Sequence, residues 1–367
     1  MPEVKKRADR LFLFYIFLLL VFGLVVLMSA SAPLGYEKFQ DTYFFVKRQI
    51  LFGLLPGIIL FLVVARIDYL YFKRISWLIY IITLLLLILV FIPGIGVVIN
   101  GSKSWLDIFG YTFQPSELAK LGIIIVMAKL LSETKRNLSD WQSGLLPVLF
   151  FALPPLILIL LQPDIGTLSI LVMIILVMLY LAEVPKRYLA VMGLIGVAVM
   201  IAMVFAAPYR LQRLSTFLHP ELDPQGVGYH INQAFLAIGS GGVWGLGLGH
   251  SRQKFQYLPE VSADSIFAIV AEEMGFIFSA SLVVLILLIG WRGLKIAKKA
   301  PDEFSALLTA GVVVWLVWQS FLNIGAMVGV LPLTGVPLPL VSHGGSAVLV
   351  TLLAVGLVAS VSRSSNL

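Results

Sequence analysis

The chain has 367 residues, of which 60% are hydrophobic and only 12% charged, with no cysteine and a net charge of +7. A soluble domain carries roughly twice that charged share, so the composition excludes an ordinary soluble protein and points to a single membrane-embedded domain over 1–367. Without thiols there is no disulfide, cysteine nucleophile or thiolate metal site, and the basic excess suits loops lying against anionic membrane lipid better than nucleic acid.

A helix needs about 20 apolar residues to cross a bilayer. Segments 11–32, 46–66, 77–99, 115–131, 145–162, 164–184, 188–207, 265–290, 304–330 and 341–362 meet that need. The expected fold is all-α, with ten transmembrane helices and a long extracytoplasmic loop, 207–264, between spans seven and eight. The first span follows Lys5, Lys6 and Arg7 and ends near Ala30-Ser31-Ala32, which imitates a cleavable leader. It is longer than the roughly 7–15 residues of a signal core and reads as a retained helix. Pro163-Asp164 forces a tight connection between spans five and six. No internal repeat is visible, which weighs against an inverted-repeat transporter.

Loop charge sets the orientation. The N-terminus and even-numbered loops carry 17 Lys and Arg, the opposite loops carry 8, and Lys120 lies within a span. The bias places both termini in the cytoplasm and the 207–264 loop outside.

Polar clusters punctuate this pattern. In "NGSKSWLDIFGYTFQPSELAK", Asn100 to Lys120, Pro115 and Ser116 suit the first turn of a helix. Glu117 and Lys120 lie three apart and can pair on one face; alternatively Lys120 faces Asp264 or an anionic substrate. Lys103 sits in the preceding loop. The outer loop holds Arg210 and Arg213, one turn apart if helical, an expected interfacial or re-entrant helix over 225–235, and "GSGGVWGLGLG", whose glycines let backbone amides approach an anion. Its exit, "KFQYLPEVSADSIFAIVAEEMGF", runs from Lys254 to Phe276 and carries Glu260, Asp264, Glu272 and Glu273.

Ser262 suits a helix N-cap, which would put Asp264 in a first turn, either as a dipole partner or as a base or metal ligand at the membrane–water boundary. Glu272 lies roughly 12 Å deeper along such a helix, where a carboxylate must face protein or a wet cavity; a structural ion pair is the simpler reading for at least one of the two glutamates. "GVLPLTGVPLPLVSHGGSAVL", Gly329 to Leu349, is a proline-broken loop with Ser342 and His343 near the last span. No His/carboxylate spacing defines a zinc site.

Taken together, "QPSELAK", "QPDIGT", "GYHINQAFLAIGSGGVWGLGLG", "QKFQYLPE", "DSIFAIVAEEMG" and "LPLTGVPLPLVSHGGS" resemble the SEDS family (shape, elongation, division and sporulation) over nearly the whole chain. The division member FtsW is the nearer resemblance, ahead of the elongation member RodA. The resemblance implies a ten-span enzyme of the bacterial cytoplasmic membrane that polymerises lipid II into glycan strands beside a class B penicillin-binding protein, with Asp264 at the position of the essential acid. Ala263, Ser265 and His343 depart from the residues most common at those places. The chemistry asks for a base where the sugars meet the outer surface, and for cations near a departing pyrophosphate. Arg210, Arg213, Lys103 and Lys254 are candidates for the latter, as is a divalent cation such as Mg²⁺, with Asp264 as its ligand if one is used. Lys120 and Glu117 would tune Asp264 from deeper in. A lipid II flippase and a non-catalytic scaffold for the penicillin-binding protein are the alternatives.

Overall fold

The computed structural model describes residues 8–99, 101–108, 110–134, 138–205, 208–219 and 226–365. It is mostly helical. In chain order come α1 (Arg10–Phe39), α2 (Phe44–Gln49) running through a π-helical turn into α3 (Leu55–Val64), α4 (Tyr69–Arg74) and α5 (Ser76–Leu89). Strands β1 (Gly96–Ile99), β2 (Ser102–Ile108) and β3 (Tyr111–Phe113) follow. Then come α6 (Pro115–Thr134), α7 (Leu146–Leu161) after a second π-helical turn, α8 (Ile165–Leu181), α9 (Lys186–Phe205), α10 (Pro208–Leu218), α11 (Val227–Gly241), α12 (Ile266–Lys298), α13 (Glu303–Met327) and α14 (Gly345–Ser364).

Among the described residues seven helical segments are long and apolar enough to cross a membrane, counting Phe44–Val64 and Trp141–Leu161 as continuous. α5 and α8 are apolar but shorter. α6 has the length but carries Glu117, Lys120, Lys129 and Glu133. It is sheathed by α5, α7, α8 and α13, so Glu117 and Lys120 face protein, while Lys129 and Glu133 lie toward its far end, where Glu133 is exposed. The outer helices show the reverse: Phe14, Phe17, Phe150, Leu194 and Ile195 stand exposed, as side chains meeting lipid should.

Two expectations change. The third span, expected to reach residue 99, ends at Leu89. Pro93 and Gly94 (φ 86°) stop the helix, and the chain turns into a three-stranded antiparallel sheet, β1-β2-β3. Gly101 and Gly110 make its two turns with φ of 81° and 82°. The fold is therefore not purely α. The eighth span, expected as one helix, is broken at Gly275 (φ 75°, ψ −172°). Ile266 to Glu273 form a buried half-helix, and exposure begins abruptly at Phe276, 69% accessible.

The break explains the glycine-rich loop. The amides of Leu246 and Gly247 donate to the carbonyls of Glu272 and Glu273 at 3.0 and 2.9 Å, and the amide of Phe276 donates to the Gly242 carbonyl at 2.9 Å. A β-carbon on Gly245 would stand 2.2 Å from the Glu273 oxygen, and one on Gly241 only 1.9 Å from that of Ala271. These glycines let the glycine-rich loop thread through the gap and satisfy the groups the broken helix leaves open. They serve main-chain packing, where the sequence suggested an anion cradle.

Candidate active site

Asp264 lies in a turn just ahead of α12, whose N-cap is Ser265; the expected first-turn placement with Ser262 as cap does not occur. The turn is built on Glu260, which holds left-handed backbone (φ 50°) while its carbonyl accepts from the amides of Ala263 and Ser265. Such a conformation costs a non-glycine residue of order 1–3 kcal/mol, so its surroundings must impose it.

They do so through consecutive carbonyls. That of Ser262 accepts from the amide of His343 at 2.7 Å. That of Ala263 accepts from the Ser342 hydroxyl at 2.5 Å, and that of Asp264 from Asn323 Nδ2 at 2.8 Å. On the other side His230 Nε2 lies 2.6 Å from the Ser265 hydroxyl, which itself donates to the Pro259 carbonyl at 2.7 Å. Because that hydroxyl's proton is already used, Nε2 must be the donor.

With its backbone held, Asp264 is half-buried. Burial and then the nearby Glu260 charge push its pKa up to about 6, opposed by Arg213 on α10. Both neighbouring histidines are held neutral. Burial lowers His230 and His343 to about 4, helped by Arg213 and Arg48 respectively.

The other candidates fall at different depths. Arg213 is near enough to act on both Asp264 and His230. Arg210 donates to the Met203 carbonyl at 2.9 Å. Lys103 donates to the Phe91 carbonyl at 3.1 Å, tying the sheet to the end of α5. Lys254 is buried, 2.7 Å from Glu273 and 3.1 Å from the Ser29 hydroxyl. Glu272 accepts from the amide of Arg252 at 2.9 Å and from the Ser251 hydroxyl, so both glutamates serve the loop.

Lys120 and Glu117 pair as expected, at 2.8 Å, fully inside the protein. Lys120 also donates to Gln319 Oε1 at 2.8 Å and stands over the Trp315 ring. Gln319 Nε2 then reaches the Pro337 carbonyl at 2.9 Å. The pair thus touches the loop that abuts Asp264, through a residue the sequence reading passed over. Gln319 and Asn323 were visible as polar groups four apart in the apolar run "WLVWQSFLNIGAM", on one helix face.

For a hard divalent cation the fit is partial. Asp264 and Glu260 offer two carboxylates close enough to feel each other's charge, but no group of three or more His, Asp or Glu side chains gathers among the described residues. Octahedral coordination would need oxygens from substrate and water.

"QPSELAK" and "QPDIGT" meet beside this site. Asp164 accepts from the Thr167 amide at 2.9 Å, and Gln114 Nε2 lies 3.4 Å from it. Gly166 packs on Val336 and Thr334, so the N-terminus of α8 also rests on the proline-rich loop.

Known proteins resemble the chain over nearly its whole length. The chain is 40% identical to the stage V sporulation protein E of Bacillus subtilis over the full length of both. It is 41% identical to the "Probable peptidoglycan glycosyltransferase FtsW" of Halothiobacillus neapolitanus, over 95% of this chain and 85% of that one. Among solved structures, a chain from a peptidoglycan synthase complex that coordinates polymerization and crosslinking superposes with a TM-score of 0.79 at 29% identity, covering 97% and 98% of the two chains. The rod shape determining protein RodA of Thermus thermophilus superposes at 0.72 and 28% identity, covering 98% of each. The family described as cell cycle protein FtsW/RodA/SpoVE matches residues 9–367, and the chain belongs to it.

Proposed function

We propose that the protein is a peptidoglycan glycosyltransferase that polymerises lipid II at the outer face of the bacterial cytoplasmic membrane. The observation that carries this reading is Asp264: a carboxylate at the mouth of a buried half-helix, raised to about 6 and faced by the Arg213 guanidinium. A base poised near 6 is largely ionised at neutral pH and still takes a proton readily. In the step proposed, Asp264 accepts the proton of an acceptor sugar hydroxyl as its oxygen bonds to the anomeric carbon of the donor. The anomeric carbon–oxygen bond to pyrophosphate breaks, and the lipid pyrophosphate leaves with the electron pair. Arg213, with Arg210 on the same helix, offsets the charge growing on that group. Lys254 and Lys120 are held in buried ion pairs within the protein, whereas the charge of Arg213 acts on Asp264 itself, so Arg213 takes precedence. A divalent cation, if used, would be shared by Asp264 and the pyrophosphate.

The reading carries a topology of ten spans with both termini cytoplasmic, and a class B penicillin-binding protein as partner. The names of its relatives support a role in division or sporulation as readily as in elongation.

The test is synthesis from lipid II by the purified chain, alone and with a class B penicillin-binding protein whose transpeptidase serine is removed. Glycan polymer is expected. Lipid II translocation across sealed vesicles without any polymer would replace this reading with that of a flippase.

A further inference from the structure

Asn323 stands at a point the proposed chemistry does not itself use. It is 2% accessible, one turn before the C-terminal end of α13. Its Nδ2 donates twice: to the carbonyl of Asp264 at 2.8 Å and to that of Val336, also at 2.8 Å. One amide group therefore spends both its hydrogens joining the strap that carries Asp264 to the proline-rich loop. Ser342 repeats the device one residue earlier, accepting from the Leu338 amide at 2.8 Å and donating to the Ala263 carbonyl. One turn along α13, Gln319 holds the Pro337 carbonyl and receives the buried Lys120. Asn323 hydrogen-bonds to the main chain of Asp264, so through that bond it acts on the carboxylate by fixing where its backbone sits.

We propose that Asn323, assisted by Ser342, is a positioning residue for glycosyl transfer, clamping the 262–264 strap so that the Asp264 carboxylate is held at the reacting sugar. The proposal rests on the reading of Asp264 as the base. A reacting group displaced by about 1 Å can lose on the order of 100-fold in rate, even when substrate binding is untouched. Asn323→Ala should therefore lower kcat roughly 10- to 100-fold while KM for lipid II stays within about twofold. It should also move the acid limb of the rate profile. A released strap admits water to Asp264, and the limb should fall from near 6 toward the ordinary carboxylate range. Glu260 at the start of the turn and Arg213 on α10 act on the same carboxylate, and His230 on α11 is held at the neighbouring Ser265; all three remain unchanged in this variant.

The experiment is lipid II polymerisation across pH by purified Asn323→Ala, with Asp264→Asn, Ser342→Ala and Asn323→Ser beside it and thermal unfolding recorded for each. Reduced kcat, unchanged KM and a displaced acid limb in a folded protein support the clamp, as does partial recovery in Asn323→Ser, which restores one donor. Normal kcat, a loss confined to KM, or a lowered rate with the acid limb unmoved overturns it. If Asn323→Ala does not fold, Ser342→Ala decides by the same readouts, because it frees the neighbouring carbonyl of the same strap. Activity retained by Asp264→Asn would overturn the base assignment itself. An inactive Asp264→Asn beside an unaffected Asn323→Ala would overturn the clamp alone.

Discussion

Lys254 and Glu273 form a buried ion pair, Nζ to Oε1 at 2.7 Å, that fastens the loop ahead of α12 to the broken helix itself. Glu273 also accepts from the Ser29 hydroxyl of α1 and from the Ser251 amide. Two separate parts of the chain, α1 and the 251–254 segment, thus converge on one carboxylate of α12.

Removing one partner strands the other. Lys254→Met should destabilise the protein by about 3–5 kcal/mol, since Glu273 would stay buried without its cation. The double variant Lys254→Met/Glu273→Gln should recover much of the loss, because a matched neutral pair avoids the stranded charge. Thermal unfolding of the two single variants and the double gives the coupling. Additive losses would mean that the pair does not hold the loop.

Arg213 acts on Asp264 from across the site. Arg213→Ala removes a positive charge that favours the ionised carboxylate, so the acid limb of the rate should rise above about 6. If Arg213 also meets pyrophosphate, use of limiting lipid II should fall by about 10- to 150-fold. Rate profiles of Arg213→Ala and Arg210→Ala separate the two. An unmoved limb in Arg213→Ala would place it away from the base.

Much of this was legible in the chain. The apolar runs mark the helices, and Pro163-Asp164 marks the turn between α7 and α8. Glu117 and Lys120, spaced for one helix face, do pair. What escaped depends on partners distant in sequence. Nothing local to Glu272 or Glu273 says that Ser251, Arg252 and Lys254 return to meet them. Glycines at 241, 245 and 275 read equally well as turns, an anion cradle or close main-chain contact, and only the fold decides. The sheet after α5 was hidden because "GVVI" is as apolar as a helix end and differs from one chiefly in its glycines and β-branching.

Orientation is open to direct measurement because the chain has no cysteine. Single cysteines at the exposed positions Gln256 and Lys298 should label differently with an impermeant thiol reagent on intact cells. Labelling at 256 alone is expected. Labelling at 298 alone would invert the topology and move the site to the cytoplasmic side.

The raised pKa of Asp264 has a consequence for stability. Its folded value is about 6 against 3.8 ordinarily. Between those values the folded protein binds a proton that the unfolded chain does not, so stability falls as pH rises through that window. Above it the full penalty applies, up to about 3 kcal/mol. Asp264→Asn should therefore raise Tm at pH 7.5, with the advantage shrinking toward pH 4. A lower Tm at both pH values would mean that the carboxylate stabilises the fold.

The most direct test of the account is glycan synthesis from lipid II by purified Asp264→Asn with the class B penicillin-binding protein proposed as its partner. The variant keeps the size of the side chain and removes its capacity to take a proton. Synthesis should drop by at least the 10²- to 10⁴-fold typical of a lost general base, in a protein that folds and binds its partner normally. Glycan chains made at a near-normal rate by that variant would contradict the account and remove Asp264 from the chemistry.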